Sequence, residues 1–236
     1  MDTPVYIPYK PRPHQLIIHD SVRRWNVLVC HRRFGKTVLA VNHLIRAACQ
    51  NVLDRPRYAY VAPLLKQAKA IVWDYLKHYT KDIPGTAYNE AELRADLPNQ
   101  ARIQLLGADN PDAMRGVRLD GCVIDEVAQI KPEVWNDIIQ PTLSDRNGWA
   151  IFTGTPNGVN LFSEIFYKAQ KLPDWHAAIY TVYDTDAVIP SEVERLRRDM
   201  TETSFSREYL CDFNASAEDQ LISLSDANTA ANREYA

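Results

Sequence analysis

Gly35-Lys36-Thr37 closes the stretch VLVCHRRFGKTVLA, and Asp125-Glu126 follows the apolar run GCVI. A triphosphate asks for backbone N–H groups curled around its oxygens, a lysine ammonium between the β and γ oxygens, and a hydroxyl on Mg²⁺. Gly35, Lys36 and Thr37 provide the last part of such a loop, although Cys30 stands where its first glycine is expected. Alone, the tripeptide fits the start of any helix equally well. The acids decide between these readings. A carboxylate at Asp125 can hold Mg²⁺ through water, and the adjacent Glu126 can orient and activate an attacking water. Two solvated acids at a strand end would read the same in isolation; paired with the lysine they favour ATP hydrolysis. In FTGTPNG, Thr153, Gly154, Thr155 and Pro156 bring small hydroxyls beside a nucleotide, or form an ordinary β-turn.

Strands and helices must alternate to bring these groups together. Residues 26–30, 57–62, 102–106, 122–124 and 149–153 read as compact apolar strands. Residues 37–48 and 65–79 read as helices with apolar positions three and four apart. Residues 14–24 predict a short amphipathic helix with Leu16, Ile17 and Val22 on its apolar side. Ser191 and Glu194 suggest a capping box opening a charged helix through Arg198. Residues 205–213 suit a short final helix or strand, and residues 214–236 a polar tail or linker. Nearly all-apolar strands between helices imply an α/β fold with a central, mainly parallel sheet covered on both faces. In such sheets ligands gather at the carboxyl ends of strands, where each motif above falls.

Composition narrows the class. The 236 residues suit one substantial α/β domain, and a net charge of −3 gives no global basic field for nucleic acid, so any DNA contact is a local patch. Cys30, Cys49, Cys122 and Cys211 form no CxxC pair and read as buried free thiols in a reducing compartment. No apolar signal core or run of about 18 apolar residues is present, which suggests a cytosolic protein. His14 and His19 read as surface or packing residues. Arg23, Arg24 and the 195–198 arginines read as solvated faces, and Tyr58, Tyr60, Trp73, Tyr75 and Tyr79 as packing aromatics.

HRRFGKT, CVIDEVAQI and FTGTPNG, with YVAPLLKQAKAIVWDYL between and LLGADNPDAMRGVRLDG ahead of the acids, resemble the large terminase subunit of tailed phages. That family forms the motor that packages double-stranded DNA into a procapsid. The resemblance implies a P-loop NTPase of the additional-strand, catalytic-glutamate type over residues 1–213. It places Arg33, Phe34, Gly35, Lys36 and Thr37 at the nucleotide, Thr37 and Asp125 at Mg²⁺, and Glu126 and Arg32 in catalysis. Gln15 resembles the glutamine that hydrogen-bonds adenine, and Thr153–Pro156 the motif coupling hydrolysis to movement. Arg115 falls where some members place an arginine acting on a neighbouring subunit's nucleotide. The implied partners are double-stranded DNA, a portal protein, a small terminase subunit and further copies in a ring. That ring is a pentamer on the procapsid, and the isolated chain is a monomer. The implied location is the host cytoplasm and, transiently, the portal. Large terminases usually add a metal-dependent nuclease domain. The tail offers only Glu218, Asp219, Asp226 and Glu234, so the nuclease is expected outside this chain, which reads as the ATPase part of a longer protein. A helicase core and a non-hydrolysing nucleotide-dependent assembly module remain as alternatives.

Overall fold

The computed structural model describes residues 6–215, so the acids of the expected tail lie outside the described residues. Helix α1 (Pro13–Ser21) opens on a proline, whose fixed φ suits a first helical turn. Strand β1 (Trp25–Cys30) follows, buried at every position, and leads through a loop into α2 (Lys36–Gln50). Then come β2 (Arg57–Ala62) and α3 (Leu65–Thr80). A short hairpin of β3 (Ala87–Asn89) and β4 (Arg94–Asp96) folds antiparallel onto β5 (Arg102–Gly107). Strand β6 (Gly121–Ile124) carries the acids at its end, and a π-helical turn, Val134–Ile139, runs into the single turn α4 (Gln140–Thr142). The chain continues as β7 (Trp149–Gly154), α5 (Leu161–Ala169), β8 (Trp175–Tyr180), α6 (Pro190–Asp199) and α7 (Glu202–Tyr209).

The sheet order is β3-β4-β5-β2-β6-β7-β1-β8, and every pairing from β5 to β8 is parallel. Alternation along β1 sends Val27 and Val29 into one apolar layer with Phe152, Trp135 and Phe162. It sends Leu28 and Cys30 into the other, with Leu44, Trp73 and Val123. A separate small cluster of Val182, Val193, Phe205 and Tyr209 holds α6 and α7 together. No described helix is long and apolar enough to cross a membrane.

Several expectations need correction. Helix α1 turns its other side inward: Leu16 and Ile17 are 50 % and 62 % exposed, while Gln15, Ile18 and His19 are buried. The cause is tertiary, since Gln15 bonds the loop after β1 and His19 stacks on His43 of α2. Ser191 caps nothing, because Pro190 starts α6 one residue earlier and Ile189 occupies the cap. Residues 202–209 form a helix that stops short of Phe213. Strand β8 and the β3–β4 hairpin were not expected. Cys30, Cys122 and Cys211 are buried free thiols, but Cys49 near the end of α2 is exposed. His14 and His19 do pack inside, and Arg195 and Arg198 pair with Glu192 and Asp199 on a solvated face.

Candidate functional site

Strand β1 delivers its chain at the carboxyl edge of the sheet, and the loop turns there on two left-handed residues, Arg33 (φ 73°) and Gly35 (φ 94°). Gly35 caps α2, and the first-turn N–H groups of that helix have no partner within it, which is the anion-binding end of a helix. Cys30 is fully buried, so the departure from glycine leaves a small side chain packed against the core side of the loop rather than in its mouth. Burial pushes its thiol pKa up, well beyond the ordinary range.

Lys36, the first residue of α2, folds back over the sheet edge. Its Nζ donates to the Cys30 carbonyl at 3.3 Å and to Thr155 Oγ1 at 3.1 Å, and stands 4.0 Å from Glu126 Oε1. Strand β7 lies between β6 and β1, so the Thr153–Pro156 segment at its tip sits between lysine and acids. Thr153 is buried beneath the site. Gly154 allows a close approach: an added Cβ would lie 3.3 Å from the Val127 nitrogen and 3.4 Å from Glu126 Cα. Glu126 itself adopts a left-handed conformation (φ 48°), a strained setting for a residue with a side chain.

Asp125 is held from three sides. Its N–H donates to the Val61 carbonyl at 2.9 Å, its Oδ1 accepts the Glu126 N–H at 3.0 Å, and its Oδ2 accepts the Tyr60 hydroxyl. Burial raises the Asp125 pKa, against the lowering effects of Tyr60, Lys36 and the Glu126 N–H. Burial and then the Asp125 charge raise Glu126, with Lys36 opposing. Both acids therefore hold their protons more tightly than ordinary carboxyls.

These groups open into a cleft of about 890 Å³, with the loop and Glu126 on one wall and Val188, Leu196, Met200 and Tyr209 on the other. An adjoining depression of about 460 Å³ shares Arg32, Arg33, Lys36 and Glu126 and adds Thr155, Pro156 and Arg207. The end of α7 docks on the loop: the Arg32 N–H donates to the Glu208 carbonyl at 2.8 Å, and its guanidinium stands 3.9 Å from the Glu208 carboxylate. Phe34 and Thr37 also line the main cleft.

Two expected residues sit elsewhere. Gln15 is 3 % exposed and bonds the loop from within, off the cleft wall. Arg115 pairs with Asp112 at 3.0 Å beside a separate depression. Three residues at the site were not anticipated. Tyr60 read as a core aromatic, Arg12 as part of a proline-rich lead-in, and Glu208 as part of a final element. Only the small side chains around Tyr60 at the end of an apolar strand could have pointed to it.

Among the described residues no three His, Cys, Asp or Glu side chains form a ready metal cage. The donor set of Thr37 hydroxyl and Asp125 carboxylate fits Mg²⁺, which takes hard oxygens and is commonly completed by substrate phosphates.

Residues 30–229 match the family described as terminase large subunit, T4likevirus-type, N-terminal. The chain belongs to the terminase large-subunit family. This terminase chain is 32 % identical over 179 residues to the terminase large subunit of Thermus virus P23-45, covering 67 % of itself and 36 % of that protein. With the large subunit of Escherichia phage T5 it shares 23 % over 205 residues, or 84 % of this chain and 45 % of that one. It thus spans less than half the length of these curated relatives. Its fold overlays the large terminase ATPase domain of Thermus phage P74-26 with a TM-score of 0.74 at 25 % identity, covering 88 % of this chain and 95 % of that one. β7, inserted between the loop strand and the acid strand, makes the terminase fold of the additional-strand P-loop type.

Proposed function

We propose that this terminase chain is the ATP-hydrolysing motor portion of a machine that drives double-stranded DNA into a procapsid. The observation that carries the reading is the convergence of Lys36, Thr155 and Glu126 within 4.0 Å at the mouth of the cleft. The P74-26 relative is an ATPase domain, and that activity is extended here to this chain.

The γ-phosphoryl group takes in-line attack by water, and its bond to the ADP oxygen breaks. Lys36 lies between the β and γ oxygens, and Arg32 meets the charge that builds on the transferring group. Glu126 orients the water and accepts its proton, a role for a positioned carboxylate worth roughly 10² to 10⁴ in rate. Thr37 and Asp125 would hold Mg²⁺, which when bound neutralises charge on the phosphate oxygens. Tyr60 keeps the Asp125 carboxylate in place. Thr153–Pro156, in contact with Lys36 through Thr155, is the segment that moves when phosphate leaves. Arg115, exposed and off this chain's own cleft, reaches the nucleotide of the next subunit in a ring, a pentamer on the procapsid. Residues 1–213 form the motor and residues 214–236 lead towards a nuclease portion in a longer protein. Portal protein, small subunit and DNA complete the assembly in the host cytoplasm.

ATP binding and turnover measured side by side test this. Glu126→Gln keeps binding while turnover drops by roughly 10² or more, and Lys36→Ala weakens both. Wild-type turnover in either variant would refute the assignment.

A further inference from the structure

The geometry points to the depression beyond Glu126 as a holding and exit site for the inorganic phosphate cut from ATP, with Arg207 as its anchor. This assignment deepens the nucleotide-site reading and rests on it. The depression shares Arg32, Arg33, Lys36 and Glu126 with the main cleft, so the two spaces meet where the γ-phosphoryl group would lie. Its other walls come from segments that do not line the cleft: Thr155 and Pro156 after β7, Gln129 in the turn after Glu126, and Arg207 on α7. In-line displacement sets the direction of travel. The attacking and leaving oxygens stand on opposite sides of the phosphorus, so the phosphoryl group moves away from ADP and towards the water. That water is held by Glu126, which borders both spaces. ADP still fills the cleft behind, and the open path runs forward past Thr155.

Charge favours an anion in this space. Glu208 Oε2 lies 3.9 Å from Arg32 Nη1 and its Oε1 3.4 Å from Arg207 Nε, so one carboxylate serves two guanidinium groups. Lys36 has Glu126 at 4.0 Å, but Glu126 is neutral once it has taken the proton of the attacking water. Cations therefore outnumber anions at the moment phosphate forms. The Arg207 side chain is only 18 % exposed, and a guanidinium so far from bulk water binds phosphate oxygens through its planar fork more firmly than an exposed one. Gln129 adds amide N–H donors that carry no charge. With a water taking about 30 Å³ in the liquid, the 460 Å³ space admits a phosphate together with its hydration shell. The departing ion also passes Thr155 and Pro156, the segment assigned to coupling.

Calorimetric titration of inorganic phosphate into the chain saturated with ADP and Mg²⁺ tests this. The titration is run on wild type, Arg207→Gln, Arg207→Lys, Gln129→Ala and Lys36→Ala, with ADP and duplex-DNA binding alongside. Phosphate should bind the ADP-loaded wild type. Arg207→Gln should weaken phosphate about tenfold, the scale of a hydrogen bond to a charged group, while ADP binds as before. Arg207→Lys should recover part of the loss, and Gln129→Ala should weaken phosphate by a smaller factor without disturbing an ion pair. Should Arg207→Gln weaken ADP as well through a disturbed α7, Gln129→Ala decides. If Lys36→Ala weakens phosphate while Arg207→Gln and Gln129→Ala do not, the ion sits in the cleft itself and the inference fails. It fails too if the ADP-loaded wild type binds no phosphate. Loss of duplex DNA but not of phosphate in Arg207→Gln would make the depression a contact for the DNA backbone instead. If Lys36→Ala binds ADP like wild type, the nucleotide-site reading falls, and the exit site with it.

Discussion

The Tyr60 hydroxyl is the kind of group whose importance comes from its partner. On β2 it donates to Asp125, so one buried ring holds the carboxylate assigned to Mg²⁺. Tyr60→Phe should leave the fold intact and raise the Mg²⁺ needed for half-maximal turnover by roughly tenfold, the usual effect of removing a group that orients a metal ligand. A magnesium titration of turnover, with the thermal midpoint as control, checks this. An unchanged titration would mean that the carboxylate is held well enough by the Glu126 N–H alone. Lys36, Asp125, Glu126 and Thr155 were legible in the sequence because each belongs to a short local pattern. Tyr60, Arg12 and Glu208 were not, because their importance arises from contacts to residues 65, 22 and 176 positions away. No local window reports contacts of that range.

Among the elements, β1, β2, β5, β6 and β7 could be read as buried apolar runs, as expected for strands covered on both faces. Strand β8, WHAAIY, lies at the edge of the sheet and is only partly buried after Trp175, so it lacked that signal. The β3–β4 hairpin has three residues per strand and is rich in polar side chains, which is too short for any periodicity. Helix α1 failed differently: tertiary bonds to the loop and to α2 overrode the apolar pattern. The same packing gives a pH dependence. His19 on α1 and His43 on α2 are stacked with Nδ1 atoms 2.9 Å apart, and burial pushes both pKa values down, to about 4 and about 3. Arg46 lowers both further, while Asp20 raises His19. The unfolded chain protonates these rings near the ordinary value of about 6.5, so it takes up protons that the folded chain refuses. Their contribution is full above that pH and is lost as pH falls towards 4 and 3. Thermal midpoints between pH 7 and pH 5 should decline on acidification, and His43→Gln should flatten the decline. An identical slope in the variant would place the acid sensitivity elsewhere.

For the molecule as a whole, the cleft lies between two bodies of different character. One is the eight-stranded sheet with its two large cores; the other is the α6–α7 unit, held by a core of its own and fastened to the loop through Glu208. Arg115 lines a depression separate from the cleft, which suits a role on a neighbour. In assembled rings, mixing Arg115→Ala with Glu126→Gln subunits should restore part of the turnover that each lacks alone, because some interfaces then join an intact arginine to an intact glutamate. No gain on mixing would confine Arg115 to its pair with Asp112. The 4.0 Å approach of Lys36 to Glu126 has a last consequence. The ammonium has a counter-ion in the residue that is to work on water, so a polyanion competes with that residue for the lysine. Neutralising that rival in Glu126→Gln should make ATP dissociate more slowly than from wild type, as stopped-flow chase measurements would reveal. The idle machine holds its substrate less firmly than the disabled one.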